Sequence, residues 1–134
     1  MSQENVQAIL HGYEAFNRGD LDAAVEGFHP QIEWSGPGVV PESGTVYRGA
    51  KGVREFWEQW RGEFEDFNVE IEEVIDAGEQ VIVMASVSGT GRGSGAPVRS
   101  PSFPHVWTIR EGQAVRMEML RTKAEALESV GLSE

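Results

Sequence analysis

The dominant hydrophobic period of this chain changes near residue 65, and that change limits the folds open to it. Up to about residue 64 apolar residues recur every three or four positions, whereas from residue 67 onward they alternate. Val6, Ile9, Leu10, Tyr13 and Phe16 mark one face of a first helix. Gly19-Asp20 supplies a stop and a new N-cap, and Leu21, Ala24, Val25 and Phe28 repeat the stripe in a second helix. Val53, Phe56, Trp57, Trp60 and Phe64 fall at i, i+3, i+4, i+7 and i+11, which gives a third helix an aromatic face. Before it, QIEWS alternates as a short strand, and GPGVVPESGTVYRG is a Gly/Pro-rich loop of the length that often covers a site. The later segments FNVEIEEVI, QVIVMASVSG, VRSPSFPHVWTIR and QAVRMEMLR are separated by turn signals at Asp76-Ala77-Gly78 and Glu111-Gly112, which predicts an antiparallel meander. Thr122-Lys123-Ala124-Glu125 is a capping box ahead of a last short helix with Leu127 and Val130. Helices first and strands afterwards predict one α+β domain over residues 1–134, with helices packed on one face of a curved sheet.

Alternation leaves Ile82, Met84 and Val106 as apolar residues on the outer face of that sheet, so a second chain is expected to cover them. Partners of other kinds are restricted by charge. Twenty-two acidic against eleven basic residues give a formal charge of −11, which repels a phosphate backbone and leaves no basic stripe for nucleic acid. No apolar run is long enough to span a membrane. The N-terminus lacks the basic segment and apolar core of a signal peptide, so a cytoplasmic location is expected. The absence of cysteine removes disulfides, thiol nucleophiles and thiolate metal sites.

One stretch, GTGRGSGAP from Gly89 to Pro97, contains G-R-G-S-G-A and so fits the dinucleotide pattern G-x-G-x-x-G/A after a strand. The pattern binds pyrophosphate only where the glycine turn opens a helix whose N-terminal N–H groups face the phosphates. The segment C-terminal to these glycines is strand-like and carries Pro101 and Pro104, so they are expected to form a hairpin connection, with no nucleotide bound.

The chemistry is expected on the inner sheet face. Phe103, His105, Trp107 and Ile109 share one side of the penultimate strand, and Val115, Met117, Met119 and Arg121 share one side of the last. A half-buried sheet packed on aromatic helices would enclose an apolar pocket with a few polar groups, the usual form of a small-molecule site. His105 reads either as an acid, base or hydrogen-bond donor, or as a hydrogen-bonded structural histidine. Arg121 reads as a fork for an acidic or carbonyl-bearing ligand, or as a strand-end arginine reaching solvent. Trp57 and Trp60 serve as core or as ligand platform, and Trp34 borders the glycine-rich loop. His11 and His29 flank helix ends, and three scattered histidines have no metal-ligand spacing, so no metal is implied.

AFNRGDLDAAVEGFHPQIEW, YRGAKGVREFW, GTGRGSGAPV, HVWTIREGQAVR and EALESVGL, spread over nearly the whole chain, resemble the SnoaL-like branch of the nuclear transport factor 2-like superfamily, which includes ketosteroid isomerases and polyketide cyclases. The resemblance implies a cone-shaped, curved antiparallel sheet wrapped around N-terminal helices, a cystatin-like roll. It also implies a hydrophobic pocket, a homodimer formed through the outer sheet face, and no cofactor. The isomerases' general-base aspartate corresponds to a position close to Gly36, and their first oxyanion donor to Gly12 or Tyr13. Their second donor, a carboxylic acid, corresponds to His105. The cyclases' carboxylate corresponds to the stretch Met119, Leu120, Arg121 and Thr122, with Glu118 the nearest acid but facing away from Met117 and Met119. The Asp-Arg-Asp arrangement of the epoxide hydrolases has no counterpart beyond Arg121.

Two functions are compatible with these residues. In the first, His105 exchanges a proton or polarises a carbonyl while Tyr13 and Arg121 orient the oxygen, in an isomerase, cyclase or dehydratase whose pocket is lined by Trp34, Trp57, Trp60, Phe103, Trp107, Met117 and Met119. In the second, the same pocket binds a small apolar organic ligand without catalysis.

Overall fold

A computed structural model describes residues 2–35 and 46–132. Helix α1 (Ser2–Asn17) buries Ile9, Tyr13 and Phe16, the stripe its spacing predicts. Gly19 turns the chain at φ +84°, and the Asp20 carboxylate accepts from the Ala23 N–H at 3.1 Å to cap the four-residue α2 (Leu21–Ala24). The end of α1 is tied to the sheet by Asn17, whose amide donates to the Val69 carbonyl and accepts from the Val69 N–H, both at 2.9 Å. Since Tyr13 lies one turn before Asn17 on the same helix face, this clamp also sets where Tyr13 points.

Strands β1 (Phe28–Ser35) and β2 (Val46–Arg48) precede helix α3 (Gly49–Glu63), which buries Val53, Phe56 and Trp57. The Trp60 side chain lies outside the described residues, as does the glycine-rich loop over residues 36–45, which includes Gly36. Phe64, expected to close the aromatic face of the helix, instead opens β3 (Phe64–Ala77) in extended backbone, φ −133° and ψ 146°. Strands β4 (Gln80–Gly91), β5 (Pro97–Arg99), β6 (Phe103–Arg110) and β7 (Gln113–Met119) come next, and α4 (Lys123–Ser129) is the last described element. No described helix is long and apolar enough to cross a membrane.

The sheet order is β2-β1-β7-β6-β4-β3, with β5 beside β4. Most pairs are antiparallel, as expected, but β1 and β7 run parallel, so the sheet is mixed. Parallel neighbours need a long crossover, and here everything from β2 to β6 supplies it. Register shifts with one extra residue in β3–β4 and β6–β7, and a larger irregularity in β1–β7, bend the strands of the curved sheet.

The glycine stretch is a hairpin. Ser88, Gly89 and Thr90 of β4 pair with Arg99, Val98 and Pro97 of β5, and the Gly91 N–H donates to the Ala96 carbonyl at 2.9 Å. Gly93 and Gly95 adopt φ of +89° and +68°, which side chains resist, and no helix opens behind them to cradle a phosphate. VRSPSFPHVWTIR, read as one strand, is broken into β5 and β6 at Ser100–Ser102 around Pro101, which has no N–H to give a ladder.

The outer sheet face corrects another expectation. Ile82, Met84 and Val106 are buried by this chain's own α4, through Ala126 and Leu127, and need no second chain to cover them. The homodimer implied by the resemblance therefore has no support from these three side chains. Helix α4 is held in place by its capping box: the Glu125 N–H donates to Thr122 Oγ1 at 3.1 Å, and Glu125 Oε1 accepts from the Thr122 N–H at 3.2 Å. Leu127→Ala should lower the unfolding free energy in urea by roughly 2–4 kcal/mol, the range for a truncated core leucine. An unchanged midpoint would show that α4 is not the cover.

Candidate functional site

A cavity of about 380 Å³ lies between the helices and the inner sheet face, a volume suited to a small organic molecule. Alternation along β6 sends Phe103, His105, Trp107 and Ile109 into its wall, as the parity of that strand predicts. Strand β1 contributes Trp34, α1 contributes Tyr13 and Phe16, α3 contributes Phe56 and Trp57, and Met119 comes from the end of β7. Met117 is fully buried in the same core but does not line the cavity. The exposed lining residues Ala8, His11, Glu26, Gly27 and Gly112 form a mouth between α1, the α2–β1 connection and the β6–β7 turn.

Three polar aromatic side chains meet inside. The Tyr13 oxygen lies 2.6 Å from His105 Nδ1, and the Trp107 Nε1–H donates to the same oxygen at 3.0 Å. These distances give the chain of hydrogen bonds a direction. An indole N–H can only donate, so Tyr13 accepts from Trp107. If His105 Nδ1 also donated, the single Tyr13 hydrogen would be stranded in a buried place with no acceptor. The arrangement that satisfies the Tyr13 hydroxyl, the Trp107 N–H and His105 Nδ1 together has Tyr13 O–H donating to Nδ1, and it leaves the imidazole hydrogen on Nε2.

Burial reinforces that state. His105 is 4% exposed, and desolvation pulls its pKa down to about 3, so the ring is neutral across the physiological range. Burial likewise raises the Tyr13 phenol far above its ordinary value, opposed in part by the bond from Trp107. At rest the His105 ring is therefore neutral, with its hydrogen on Nε2. Among the described residues, two buried polar atoms in the cavity wall have no hydrogen-bond partner, His105 Nε2 and Trp34 Nε1. A buried donor without an acceptor costs about 1–3 kcal/mol, so both sites favour an incoming oxygen.

Arg121 sits apart from this group. Strand β7 ends at Met119, so alternation does not carry to residue 121, and Arg121 is exposed beside a second cavity. Its backbone N–H donates to Glu125 Oε1 at 3.1 Å. Glu118 engages Arg116 at 3.3 Å and does not line the first cavity. The first cavity's carboxylate among the described residues is Glu26, at the mouth, which sequence reasoning passed over because a lone acid in a turn carries no pattern. That Trp34 faces the cavity was among the sequence expectations, but its unpartnered N–H was not. The described residues hold no group of three His, Asp or Glu side chains suited to a metal ion.

The sequence matches the SnoaL-like domain over residues 9–117, and the chain belongs to that family. Solved structures share its architecture. A nuclear transport factor 2-like protein of unknown function from Burkholderia pseudomallei superposes with a TM-score of 0.77 at 25% identity, over 96% of this chain and 98% of that one. Another nuclear transport factor 2-like protein, from Burkholderia thailandensis, gives 0.77 at 28% identity over 92% and 96%. TerC, co-crystallised with polyporic acid, gives 0.75 at 28% identity over 95% and 98%. No curated protein sequence matches the chain.

Tyr13→Phe should cost roughly 1–3 kcal/mol in chemical denaturation, because it strands the Trp107 N–H and His105 Nδ1 inside the core. A neutral change would mean that the three groups are not coupled. A second expectation concerns pH. A histidine held at about 3 when folded and near 6.5 when unfolded leaves the unfolded chain with more bound protons between those values, so its contribution to stability is lost as pH falls from 6.5 towards 3. His105→Gln should flatten the stability-against-pH curve in that window by up to about 1.4 kcal/mol per pH unit. Parallel curves for the two proteins would contradict a buried neutral imidazole.

Proposed function

We propose that this protein binds a small, mostly apolar organic molecule and holds its carbonyl or phenolic oxygen against the His105 Nε2–H, with the Trp34 Nε1–H as a second donor. The observation that carries this reading is the directed chain from Trp107 through Tyr13 to His105, which ends on an N–H with no acceptor among the described residues. Membership of the SnoaL-like family supports a small-molecule site, and co-crystallisation of the structural relative TerC with polyporic acid supports an organic ligand in such a fold. Fixed donors in a water-poor pocket stabilise negative charge as it develops on a carbonyl oxygen, because they need no reorientation when the charge appears. That chemistry serves a cofactor-independent isomerase, cyclase or dehydratase.

A second reading, ligand binding without turnover, rests on the same lining. Its described interior holds no carboxylate to take a proton from carbon, and Glu26 stands only at the mouth. One pair of probes separates the two readings. 2-Naphthol should bind saturably and quench the cavity tryptophans, with His105→Ala weakening it roughly tenfold and His105→Gln, which keeps an N–H, by less. Equal affinity for wild type and His105→Ala would remove His105 from the site. For 2-tetralone in heavy water at saturating protein, a polarising site accelerates deuterium exchange beside the carbonyl, loses that acceleration in His105→Ala and keeps part of it in His105→Gln. Exchange at the buffer rate with binding retained would establish the second reading.

A further inference from the structure

The two unpartnered N–H groups of the cavity wall, His105 Nε2 and Trp34 Nε1, belong to residues that are each 4% exposed, so neither has water as a ready substitute for a partner. The sheet sets them apart. Trp34 pairs with Met117 and Met117 with Trp107, so Trp34 stands level with Trp107 but two strands away, roughly 9–10 Å at the usual strand spacing. His105 lies two residues from Trp107 on β6, which adds about 7 Å along the strand. The rings of Trp34 and Trp107 lean together to 5.5 Å, but the imidazole turns away from both. Its Nδ1 edge faces the Tyr13 oxygen that also accepts from Trp107, so Nε2, on the opposite edge, points away from Trp107 and from Trp34 beside it. The two rings also have different neighbours: Trp34 packs against Phe56 and Trp57, His105 against Tyr13 and Phe103.

We propose that these two donors address two different oxygens, and that the ligand is an aromatic or quinonoid ring oxygenated at two non-adjacent positions. The proposal rests on the reading of His105 Nε2–H as a donor to the ligand. One oxygen can accept from both nitrogens only if they lie within about 6 Å of each other, two hydrogen-bond lengths, and the placement of the two rings exceeds that reach. A ring with an oxygen on each side spans the gap and satisfies both donors. A ring with a single oxygen leaves one of them stranded, and a ring with adjacent oxygens presents both to the same nitrogen. An indole N–H only donates, so the second group on the ligand must be an acceptor, a carbonyl or a hydroxyl oxygen. Trp34 is thus the residue that selects the second oxygen, and its distance from His105 selects where on the ring that oxygen stands.

The test compares three ligands by calorimetry on the full chain: 2-naphthol, 1,3-dihydroxynaphthalene, whose oxygens are separated on one ring, and 2,3-dihydroxynaphthalene, whose oxygens are adjacent. The 1,3 isomer should bind about tenfold tighter than 2-naphthol, as one further hydrogen bond to a stranded donor would give, and the 2,3 isomer within about twofold of 2-naphthol. Trp34→Phe keeps an aromatic ring and removes the N–H, so it should bring the affinity ratio of the 1,3 isomer to 2-naphthol close to one, with melting curves showing that the variant folds. Proton–nitrogen NMR of the wild type gives an independent reading, since the Trp34 indole proton should move downfield at saturation with the 1,3 isomer and by much less with the 2,3 isomer. A 1,3 isomer that binds no tighter than 2-naphthol, a 2,3 isomer that gains as much, a gain that survives Trp34→Phe, or an indole proton that responds equally to both isomers would overturn the two-oxygen ligand. In each of these cases a 2-naphthol affinity that still falls in His105→Ala would leave the His105 site standing. Failure of all three compounds to bind would overturn both.

Discussion

An indole has one hydrogen to give and no lone pair to offer, and that asymmetry at Trp107 determines the rest of the site. With Trp107 donating, the Tyr13 oxygen is an acceptor on one side and must place its own hydrogen on the other, where His105 Nδ1 lies 2.6 Å away. The imidazole is left with its hydrogen on Nε2, and burial keeps it neutral. Two buried partners thus convert a residue usually read as a base into a fixed donor. In the proposed function, incoming ligand oxygen offsets the cost of leaving that donor and the Trp34 N–H unsatisfied.

The fold supplies the constraints that hold these groups in place. Asn17 pins the end of α1 to Val69 through both edges of one residue, so Tyr13 cannot drift along the sheet. Parallel pairing of β1 with β7 sets Trp34 opposite Met117, and antiparallel pairing of β7 with β6 sets Met117 opposite Trp107. Trp34 and Trp107 consequently meet edge to face with ring centroids 5.5 Å apart. Helix α4 seals the opposite side of β4 and β6 over Ile82 and Val106, so the strand that presents His105 is packed on both faces. A strand held this way keeps its side chains at fixed angles to the cavity.

Much of this was legible from residue spacing, and the parts that were not share a cause. Alternation along β6 placed Phe103, His105 and Trp107 on one face, and the helical phase of α1 put Tyr13 with Ile9 and Phe16, because both periods are properties of local backbone. The glycines of GTGRGSGAP were assignable to a turn because two prolines lie close behind them. Arg121 was assigned to the inner face by extending an alternation past the point where β7 ends, and a strand's end is set by pairing partners distant in sequence. The burial of Ile82, Met84 and Val106 under α4 escaped for a similar reason: a capping box announces that a helix begins, not which surface it will cover. The tautomer of His105 depends on Tyr13, 92 positions away, and no local pattern encodes that contact.

The most direct test is nitrogen NMR of the His105 ring in the ligand-free protein at neutral pH. Direction along the hydrogen-bond chain requires Nε2 to show the one-bond proton coupling and shift of a protonated ring nitrogen, and Nδ1 the shift of an unprotonated nitrogen that accepts a hydrogen bond. Tyr13→Phe should then release Nδ1 towards the shift of a free lone pair. A proton found on Nδ1, or a doubly protonated ring, would contradict the account, because His105 would then present to the cavity a lone pair in the first case and a cation in the second.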